Sequence, residues 1–281
     1  MLDSIAFVGG GVMAEAMIGG LLARKLVSAR HIIVGEPHPK RRAELESRYR
    51  VRTTIDNLKA VHSTETVVFA IKPQILTRLL PELKGSLRDE QLVISIIAGG
   101  RIATLSEGLQ HKAIVRSMPN TPARIGKGLT VWTCTPVVNE QQRRQAAAIF
   151  KALGKEVFVD DEKYLDMATA VSGTGPTYTF LVLEALIDAA VHLGFSREVA
   201  HDIVIETMLG TILFAQSSGK HPAELRNMVT SPGGTSAEAI YQMEKGALRT
   251  VLSKAVWAAY QKSRMLGETV GKAEPRRPVD A

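Results

Sequence analysis

The stretch 229–237 combines two glycines with the hydroxyl side chains of Ser231, Thr235 and Ser236 at the start of a predicted helix. Gly233 and Gly234 permit positive backbone φ angles and leave their amides uncovered. Free amides at a helix start, together with the helix dipole, form an anion site for a carboxylate or a phosphate. The alternative is an ordinary turn in which Ser236 or Thr235 caps the helix.

A glycine-rich turn near the N-terminus has the pattern of a dinucleotide-binding loop. The apolar run 5–8 predicts a strand, and the residues that follow, up to about Lys25, predict a helix. Between them, Gly9 makes a tight turn, Gly11 lets a pyrophosphate approach the backbone, and Ala14 permits close packing of helix on strand. Any strand–turn–helix junction is the alternative.

An acidic residue and a basic cluster follow the second predicted strand, at residues 32–34. Glu36 lies about twenty residues beyond the glycine-rich turn, where a carboxylate binds the adenosine ribose hydroxyls of NADH. Lys40, Arg41 and Arg42 follow closely and could neutralise the 2′-phosphate of NADPH, or form a solvated helix face. The pattern favours NADH and leaves NADPH open.

Three further apolar runs, at residues 66–71, 92–97 and 113–117, predict buried parallel strands. Each run ends in a loop of small, polar or proline residues: Lys72-Pro73-Gln74, Ala98-Gly99-Gly100 and Met118-Pro119-Asn120-Thr121-Pro122. Because ligands bind at the carboxyl ends of strands in open α/β sheets, the three loops predict one continuous cleft edge. Well-made turns would explain each loop singly. Lys72 precedes a proline and is expected outside a helix.

The composition argues against several classes of protein. The chain has 281 residues, enough for two domains or one large one. Its single cysteine, Cys134, excludes an internal disulfide and, with no N-terminal targeting pattern, leads us to expect a cytoplasmic protein. The histidines are scattered and no apolar run has the length of a membrane span, so we expect neither a metal nor a membrane. The net charge of +7 is diffuse and aromatic content is low, which argues against a nucleic-acid partner.

The chain changes character near Asp160. Asn139 caps the last helix of an alternating strand–helix pattern, and beyond Asp160 helical patterns dominate. We therefore predict an α/β dinucleotide-binding domain of the Rossmann type, an all-α domain for substrate binding and dimerisation, and a disordered tail, at residues 1–160, 161–269 and 270–281.

The predicted helical domain needs a partner surface. Small residues at 170–178 precede a long apolar helix, and Ser196 caps the next helix, which runs to about residue 216. This helix and the one at residues 247–266 are apolar on more than one face. Another subunit is the simplest source of a covering surface.

The motifs, in this order, resemble those of the pyrroline-5-carboxylate reductase family. The resemblance runs from about Ile5 to Leu266, and the set is specific although each motif alone is weak. It rests on Gly9-x-Gly11-x-Met13-Ala14, Ala70-Ile71-Lys72-Pro73-Gln74, Ser95-Ile96-Ile97-Ala98-Gly99, Met118-Pro119-Asn120-Thr121-Pro122, Ser172-Gly173-x-Gly175-Pro176 and Ser231-Pro232-Gly233-Gly234-Thr235-Ser236.

The resemblance implies a fold and a reaction. In the family, a Rossmann-type domain precedes a helical domain that interlocks with a second subunit, the active site lies between the domains, and dimers often assemble into decamers. The implied reaction passes a hydride from NADH or NADPH to the C=N carbon of 1-pyrroline-5-carboxylate. The product is L-proline, so this would be the last step of proline biosynthesis.

The matching positions also imply the site residues. Together with Glu36, the cofactor-binding residues would be Gly9, Gly11, Val12, Met13, Ala14, Asn57, Ala70, Lys72, Pro73, Ala98 and Asn120. The substrate-binding residues would be Ser231, Gly233, Gly234, Thr235 and Ser236. Of these, Ser236 or Thr235 would form the catalytic hydrogen bond to the ring nitrogen.

Two positions depart from the family pattern. Ser236 stands where threonine is most common, so the hydroxyl remains but the methyl that restricts its rotamer is lost. Glu36 replaces the small polar residue that is common in NADPH-preferring members, which supports NADH.

The substrate-side loops, 172–178 and 231–237, contain no His, Lys, Asp or Glu. Their composition fits an imine that enters as the iminium, because its reduction gives a neutral amine without a strong acid. It argues against a β-hydroxyacid dehydrogenase, whose family uses a lysine in the helical domain. A non-catalytic dinucleotide-sensing protein is the other alternative, and it has no need for an anion pocket at 231–236.

Overall fold

The computed structural model describes residues 3–270. Its strands are β1 Ile5–Val8, β2 Ile32–Gly35, β3 Arg52–Thr54, β4 Thr66–Phe69, β5 Leu92–Ser95, β6 Ile114–Pro119, β7 Gly128–Cys134 and β8 Gly154–Phe158. Its helices are α1 Val12–Ala23, α2 Pro39–Tyr49, α3 Asn57–His62, α4 Pro73–Leu83, α5 Ile102–Leu109, α6 Glu140–Lys151, α7 Lys163–Ala168, α8 Gly175–His192, α9 Arg197–Ser218, α10 Pro222–Met228, α11 Thr235–Lys245 and α12 Leu248–Thr269.

The strands form one sheet in the order β3-β2-β1-β4-β5-β6-β7-β8. Strands β1 to β6 run parallel, β7 is antiparallel to β6, and β8 is parallel to β7. Because the strand order reverses at β1, the carboxyl ends of β1 and β4 flank the crevice where such sheets bind ligands.

The core lies on both faces of this sheet, since successive strand residues point in opposite directions. Ile5 and Phe7 pack with residues of α1 and α6 on one face, whereas Ala6 and Val8 pack with α3, α4 and α5 on the other. All four side chains are almost completely buried. Strands of a sheet that is covered on both faces have continuous apolar sequences rather than alternating apolar and polar residues. For this reason the strands could be predicted from the sequence.

Strand β6 is longer than the apolar run predicts. It continues through Met118 to Pro119, because Met118 pairs with Val131 and Pro119 with Thr130 of the antiparallel β7. The expectation that residues 118 and 119 begin a loop is therefore wrong. Asn120 is the first residue beyond the strand.

Two predicted helix caps are confirmed. The Asn139 side chain accepts from the amide of Gln142 at 2.9 Å, and the Gln142 side chain accepts from the amide of Asn139 at 3.1 Å. The Ser196 hydroxyl accepts from the amide of Val199 at 3.3 Å. These local bonds satisfy amides at helix starts that the helix itself cannot pair.

The chain divides into two compact units, residues 3–174 with 259–270, and residues 175–258. The division at 174 adds α7 and the turn after it to the first unit, and the domain boundary near Asp160 stays a prediction. The predicted disordered tail lies outside the described residues except for Val270, which is buried.

The second unit has almost no interior of its own. Within 175–258, only Ala200 and Val204 are buried, whereas large apolar side chains such as Phe180, Leu213 and Phe214 are more than half exposed. An apolar surface of this extent on a helical unit is characteristic of an interaction surface.

Candidate functional site

The turn after β1 requires glycine at its first position. Gly9 has φ +99° and donates its amide to the carbonyl of Gly35 at 2.8 Å. A Cβ at this position would lie 2.7 Å from the carbonyl oxygen of Ala70. The turn is therefore held between the carboxyl ends of β2 and β4.

The start of α1 is open to a ligand. Gly11 is its N-cap, with an extended backbone, and no side chain caps the helix. A Cβ at Gly11 would meet no atom within 4 Å, and Val12 beside it is exposed. Met13 is half-buried, and Ala14 is fully buried against the sheet. An uncapped helix start with free space before it fits the pyrophosphate of a dinucleotide.

Glu36 is a buried carboxylate at the end of β2. It is 7% exposed, and its two oxygens accept from the amides of Gly10 and His38, each at 3.0 Å. Asn57, at the start of α3, lies against Gly35 and donates to Glu82 at 3.0 Å. Glu36, predicted for the adenosine ribose, and Asn57, also predicted to bind the cofactor, thus lie at the same strand end.

The basic cluster is occupied by the protein itself. Arg41 donates to the carbonyl of Gly10 and to Glu15, both at 2.6 Å, and to Glu44 at 3.1 Å. Arg42 donates to two backbone carbonyls, those of residues 36 and 37, at 2.9 Å. Partial burial by itself would raise the pKa of Glu15, but the hydrogen bond from Arg41 outweighs it and holds that pKa below its usual range. The spacing of these residues in the sequence did not indicate that Arg41 would bind both the glycine-rich turn, at Gly10, and α1, at Glu15.

The ends of β4 and β5 continue the same sheet edge. Lys72 is exposed and has an extended backbone, with φ −69° and ψ 147°, as the N-cap of α4, which begins at Pro73. The expectation that Lys72 lies outside a helix is confirmed. The Ala70 amide donates to the carbonyl of Val8 at 2.9 Å, and Ala98 is half-buried beyond β5.

Asn120 links the edge of the sheet to the segment of small residues at 170–178. Its Oδ1 accepts from the amide of Leu129 at 2.8 Å, and its Nδ2 donates to the Ser172 hydroxyl at 3.2 Å. Residues 169–173 form a π-helical turn in which the amide of Thr174 donates to the carbonyl of Thr169 at 2.8 Å. Such turns occur frequently at functional sites.

The 229–237 loop, in the second unit, also presents an uncapped helix. Gly233 has φ +71°, and Gly234 is the N-cap of α11, with no side-chain hydrogen bond to the helix amides. Thr235 and Ser236 are the first two helical residues, so the alternative that either one caps the helix is wrong. Ser231 is exposed. The Gly234 amide donates to the carbonyl of Ser231 at 3.0 Å, so the amides open to an anion at the start of α11 are those of Thr235 and Ser236.

The first unit therefore brings the predicted cofactor residues to one edge of the sheet. The substrate residues lie together at the start of α11, in the second unit. Within residues 3–270, no group of three or more His, Cys, Asp or Glu could hold a metal ion. In the same range, no helix is both long and apolar enough to cross a membrane.

Arg116 is a functional candidate that the sequence reasoning missed. It is 1% exposed within β6 and forms ion pairs with Glu162 and Asp166. An arginine inside an otherwise apolar strand is the feature that could have revealed it, because buried arginines require partners.

Comparison with known proteins identifies the family. Residues 162–266 match the family model described as pyrroline-5-carboxylate reductase dimerisation, and residues 4–99 match NADP oxidoreductase coenzyme F420-dependent. A pyrroline-5-carboxylate reductase from Synechocystis sp. is 42% identical over 268 residues, covering 95% of this chain and 100% of the relative. The chain belongs to the pyrroline-5-carboxylate reductase family.

Solved structures of the pyrroline-5-carboxylate reductase family share the fold. The crystal structure from Plasmodium falciparum with NADP bound has a TM-score of 0.87 and 30% identity, covering 95% of this chain and 100% of that chain. The structure from Coxiella burnetii has a TM-score of 0.85 and 34% identity, covering 96% of this chain and 100% of that chain. The predicted fold class, a Rossmann-type α/β domain followed by a helical domain, is confirmed.

Proposed function

We propose that this protein reduces 1-pyrroline-5-carboxylate to L-proline with NADH or NADPH, the last step of proline biosynthesis. The observation that carries the proposal is the 42% identity to a pyrroline-5-carboxylate reductase across the whole length of that relative. The two uncapped, glycine-led helix starts, one in each unit, add the anion sites that this cofactor and this substrate require.

The reaction places few demands on acid–base groups. When bound, the dinucleotide would supply a hydride to the imine carbon, and the electron pair of the C=N bond would move to nitrogen. An imine that enters protonated leaves as a neutral amine, so the protein needs only to orient it. The absence of His, Lys, Asp and Glu from loops 172–178 and 231–237 agrees with this chemistry.

The start of α11 would hold the substrate. Of the backbone amides at residues 233–236, that of Gly234 already donates to the carbonyl of Ser231 at 3.0 Å. The substrate carboxylate would accept from the other three, and Ser231 would border it. Ser236 or Thr235 would hydrogen-bond the ring nitrogen. Both hydroxyls lie in the first turn of the helix, next to the open amides.

The first unit would hold the dinucleotide. The pyrophosphate would lie at Gly11, Val12 and Met13, while Ala70, Lys72, Pro73, Ala98 and Asn120 would border the nicotinamide side. Glu36 would bind the adenosine ribose with Asn57 nearby. Because Arg41 and Arg42 already bind protein oxygens, they are poorly placed to neutralise a 2′-phosphate, and this favours NADH.

The active form would be a homodimer whose interface is formed by the second unit. The groove between α8 and α9 is lined by apolar side chains such as Phe180, Leu183 and Ile187, and a second copy would cover it. Further assembly into decamers and a cytoplasmic location remain predictions from the sequence.

The test is oxidation of NADH and of NADPH with and without racemic 1-pyrroline-5-carboxylate. We expect oxidation that depends on the substrate and releases L-proline. Oxidation of NADH or NADPH only with a β-keto acid would favour the alternative that the protein is a β-hydroxyacid dehydrogenase. Tight NADH binding without turnover of any imine would favour the sensing protein.

A further inference from the structure

The glycine-rich turn contains one peptide plane that its own sequence leaves free to rotate. This plane joins Gly10 to Gly11, and neither residue has a Cβ to restrict the backbone angles on its two sides. Because the peptide bond is trans, the Gly10 carbonyl and the Gly11 amide point in opposite directions. Gly11 is the N-cap of α1, so its amide has no acceptor within the helix. The direction of the Gly10 carbonyl therefore fixes the direction of the Gly11 amide.

Arg41 of α2 holds this carbonyl. Its Nε donates to the carbonyl oxygen of Gly10 at 2.6 Å, while the Gly10 amide donates to the carboxylate of Glu36 at 3.0 Å. Gly10 is buried, and a buried carbonyl without a donor is costly. Hydrogen bonds to charged groups are stronger than those between neutral groups. Charged side chains thus fix both polar groups of the residue on which the free peptide plane depends.

The guanidinium of Arg41 is itself held in place by carboxylates. Its Nη2 donates to Glu15 of α1 at 2.6 Å and its Nη1 to Glu44 at 3.1 Å. Glu15 also accepts from Arg48 at 2.8 Å and from the Tyr49 hydroxyl at 3.1 Å. The side chains of Arg41 and Glu15 are 24% and 17% exposed, whereas that of Arg48 is 69% exposed. Arg41 is therefore a fixed donor, and each of its three nitrogens already binds a protein oxygen.

Helix α2 packs closely against the turn. A Cβ at Gly10 would lie 2.9 Å from the side chain of Leu45 and 3.3 Å from that of Val34. Both of these side chains are fully buried. The core thus sets the distance between α2 and the turn, and Arg41 reaches the Gly10 carbonyl from a rigid base.

We propose that Arg41 is a positioning residue for the cofactor, which holds the Gly10–Gly11 peptide so that the Gly11 amide is directed to the pyrophosphate. It acts through the backbone and does not touch the cofactor. When Arg41 is removed, the plane between the two glycines rotates and only a fraction of the molecules present the amide. The apparent Kd rises as that fraction falls. The proposal rests on the cofactor site of the proposed function, and it requires neither the substrate nor the reaction.

Arg41→Met is the main test, because it keeps the apolar stem and removes all three donors. We expect the Kd of NADH and of ADP to rise about tenfold in calorimetric titrations. The Kd of adenosine, which lacks phosphate, should stay within about twofold when measured by NMR titration. The KM for NADH should rise while kcat at saturating NADH stays within about twofold, because the turn binds the pyrophosphate and not the ring that gives the hydride. Arg41→Lys keeps the charge without the planar fork, so its Kd values should lie between those of the wild type and Arg41→Met.

Arg48→Met is the matched control, since it removes the same charge from the same helix and also takes one partner from Glu15. Its Kd for NADH should stay within about twofold of the wild-type value, because the bond from Arg41 to Gly10 remains. Equal losses in Arg41→Met and Arg48→Met would overturn the proposal, because they would show that positive charge alone attracts the pyrophosphate.

The remaining outcomes separate the positioning role from a structural one. An unchanged Kd for NADH and ADP in Arg41→Met would overturn the proposal, and so would a parallel loss of adenosine binding, which would indicate a distorted turn. Thermal melts establish that each variant is folded, and if Arg41→Met is not, Arg41→Lys is judged by the same Kd values. A wild-type protein that binds NADH and ADP but reduces no imine would refute the proposed reaction, while the titrations would still decide the role of Arg41. One that binds neither would refute both.

Discussion

Glu36→Gln tests whether the buried carboxylate at the end of β2 selects NADH over NADPH. The carboxylate is 7% exposed and is fixed by two amide donors at 3.0 Å. It therefore cannot turn away from a 2′-phosphate that approaches the adenosine ribose site. Glutamine has the same shape without the charge.

The expected size of the effect follows from Coulomb repulsion. Two unit charges about 6 Å apart repel by about 3 kcal/mol at an effective dielectric constant of about 20, which is about a hundredfold in affinity. We therefore expect the ratio of kcat/KM for NADH to kcat/KM for NADPH to fall by about 30-fold to 100-fold. One of the two amides loses its acceptor, so the free energy of unfolding should fall by about 1–2 kcal/mol.

The assay is the initial rate with each cofactor at saturating 1-pyrroline-5-carboxylate, with a denaturation curve for each variant. Glu44→Gln is the matched control, because this exposed carboxylate binds Arg41 at 3.1 Å on the same helix. The ratio of kcat/KM for NADH to kcat/KM for NADPH should not change in Glu44→Gln. An unchanged ratio in folded Glu36→Gln, or equal shifts in both variants, would refute the assignment of specificity to Glu36.

Four other substitutions test separate parts of the structure. Gly11→Ala should fold normally, since its Cβ has free space, yet weaken NADH binding about tenfold. Gly9→Ala should instead lower the free energy of unfolding by about 1–3 kcal/mol because of its φ of +99° alone. Titration with NADH measures the first effect and thermal melts measure the second. Ser236→Ala should lower kcat about tenfold to a hundredfold, and an unchanged kcat would move the catalytic hydrogen bond to its neighbour. Burial lowers the pKa of His111, whose Nε2 lies 2.8 Å from the carbonyl of Gln91, so the unfolded state binds more protons as pH falls through about 6.5 and stability is lost there. Urea melts of His111→Asn across this pH range should lack that part of the pH dependence.

Local features were predictable because neighbours in the sequence determine them. The extended backbone of Lys72 follows from the proline after it, and the cap at Asn139 needs only the amide three residues on. The strands were predictable as apolar runs because helices cover both faces of the sheet. Strand β6 exceeded its predicted length because its end is set by pairing with β7, which no local pattern encodes.

The interactions that were missed join residues far apart in the chain. Arg116 meets Asp166 across 50 positions, and Asp166 meets Ser263 across 97. The basic residues near position 41 offered two interpretations, a contact to a 2′-phosphate and a solvated helix face, and only the fold placed Arg41 beside the carbonyl of Gly10. A charged side chain looks the same in a sequence whether it meets water, a ligand or a distant partner.

The sequence by itself determined the two glycine-led helix starts, the parallel α/β pattern and the family, because backbone freedom, helix starts and strand composition are local properties. Tertiary structure alone decided that Glu36 is a buried carboxylate with two hydrogen bonds, that Arg41 and Arg42 are already bound to protein oxygens, and that Arg116 is buried in ion pairs with Glu162 and Asp166. Burial and pairing of charges depend on which distant residues the fold brings together, and that information becomes available only when the chain is folded.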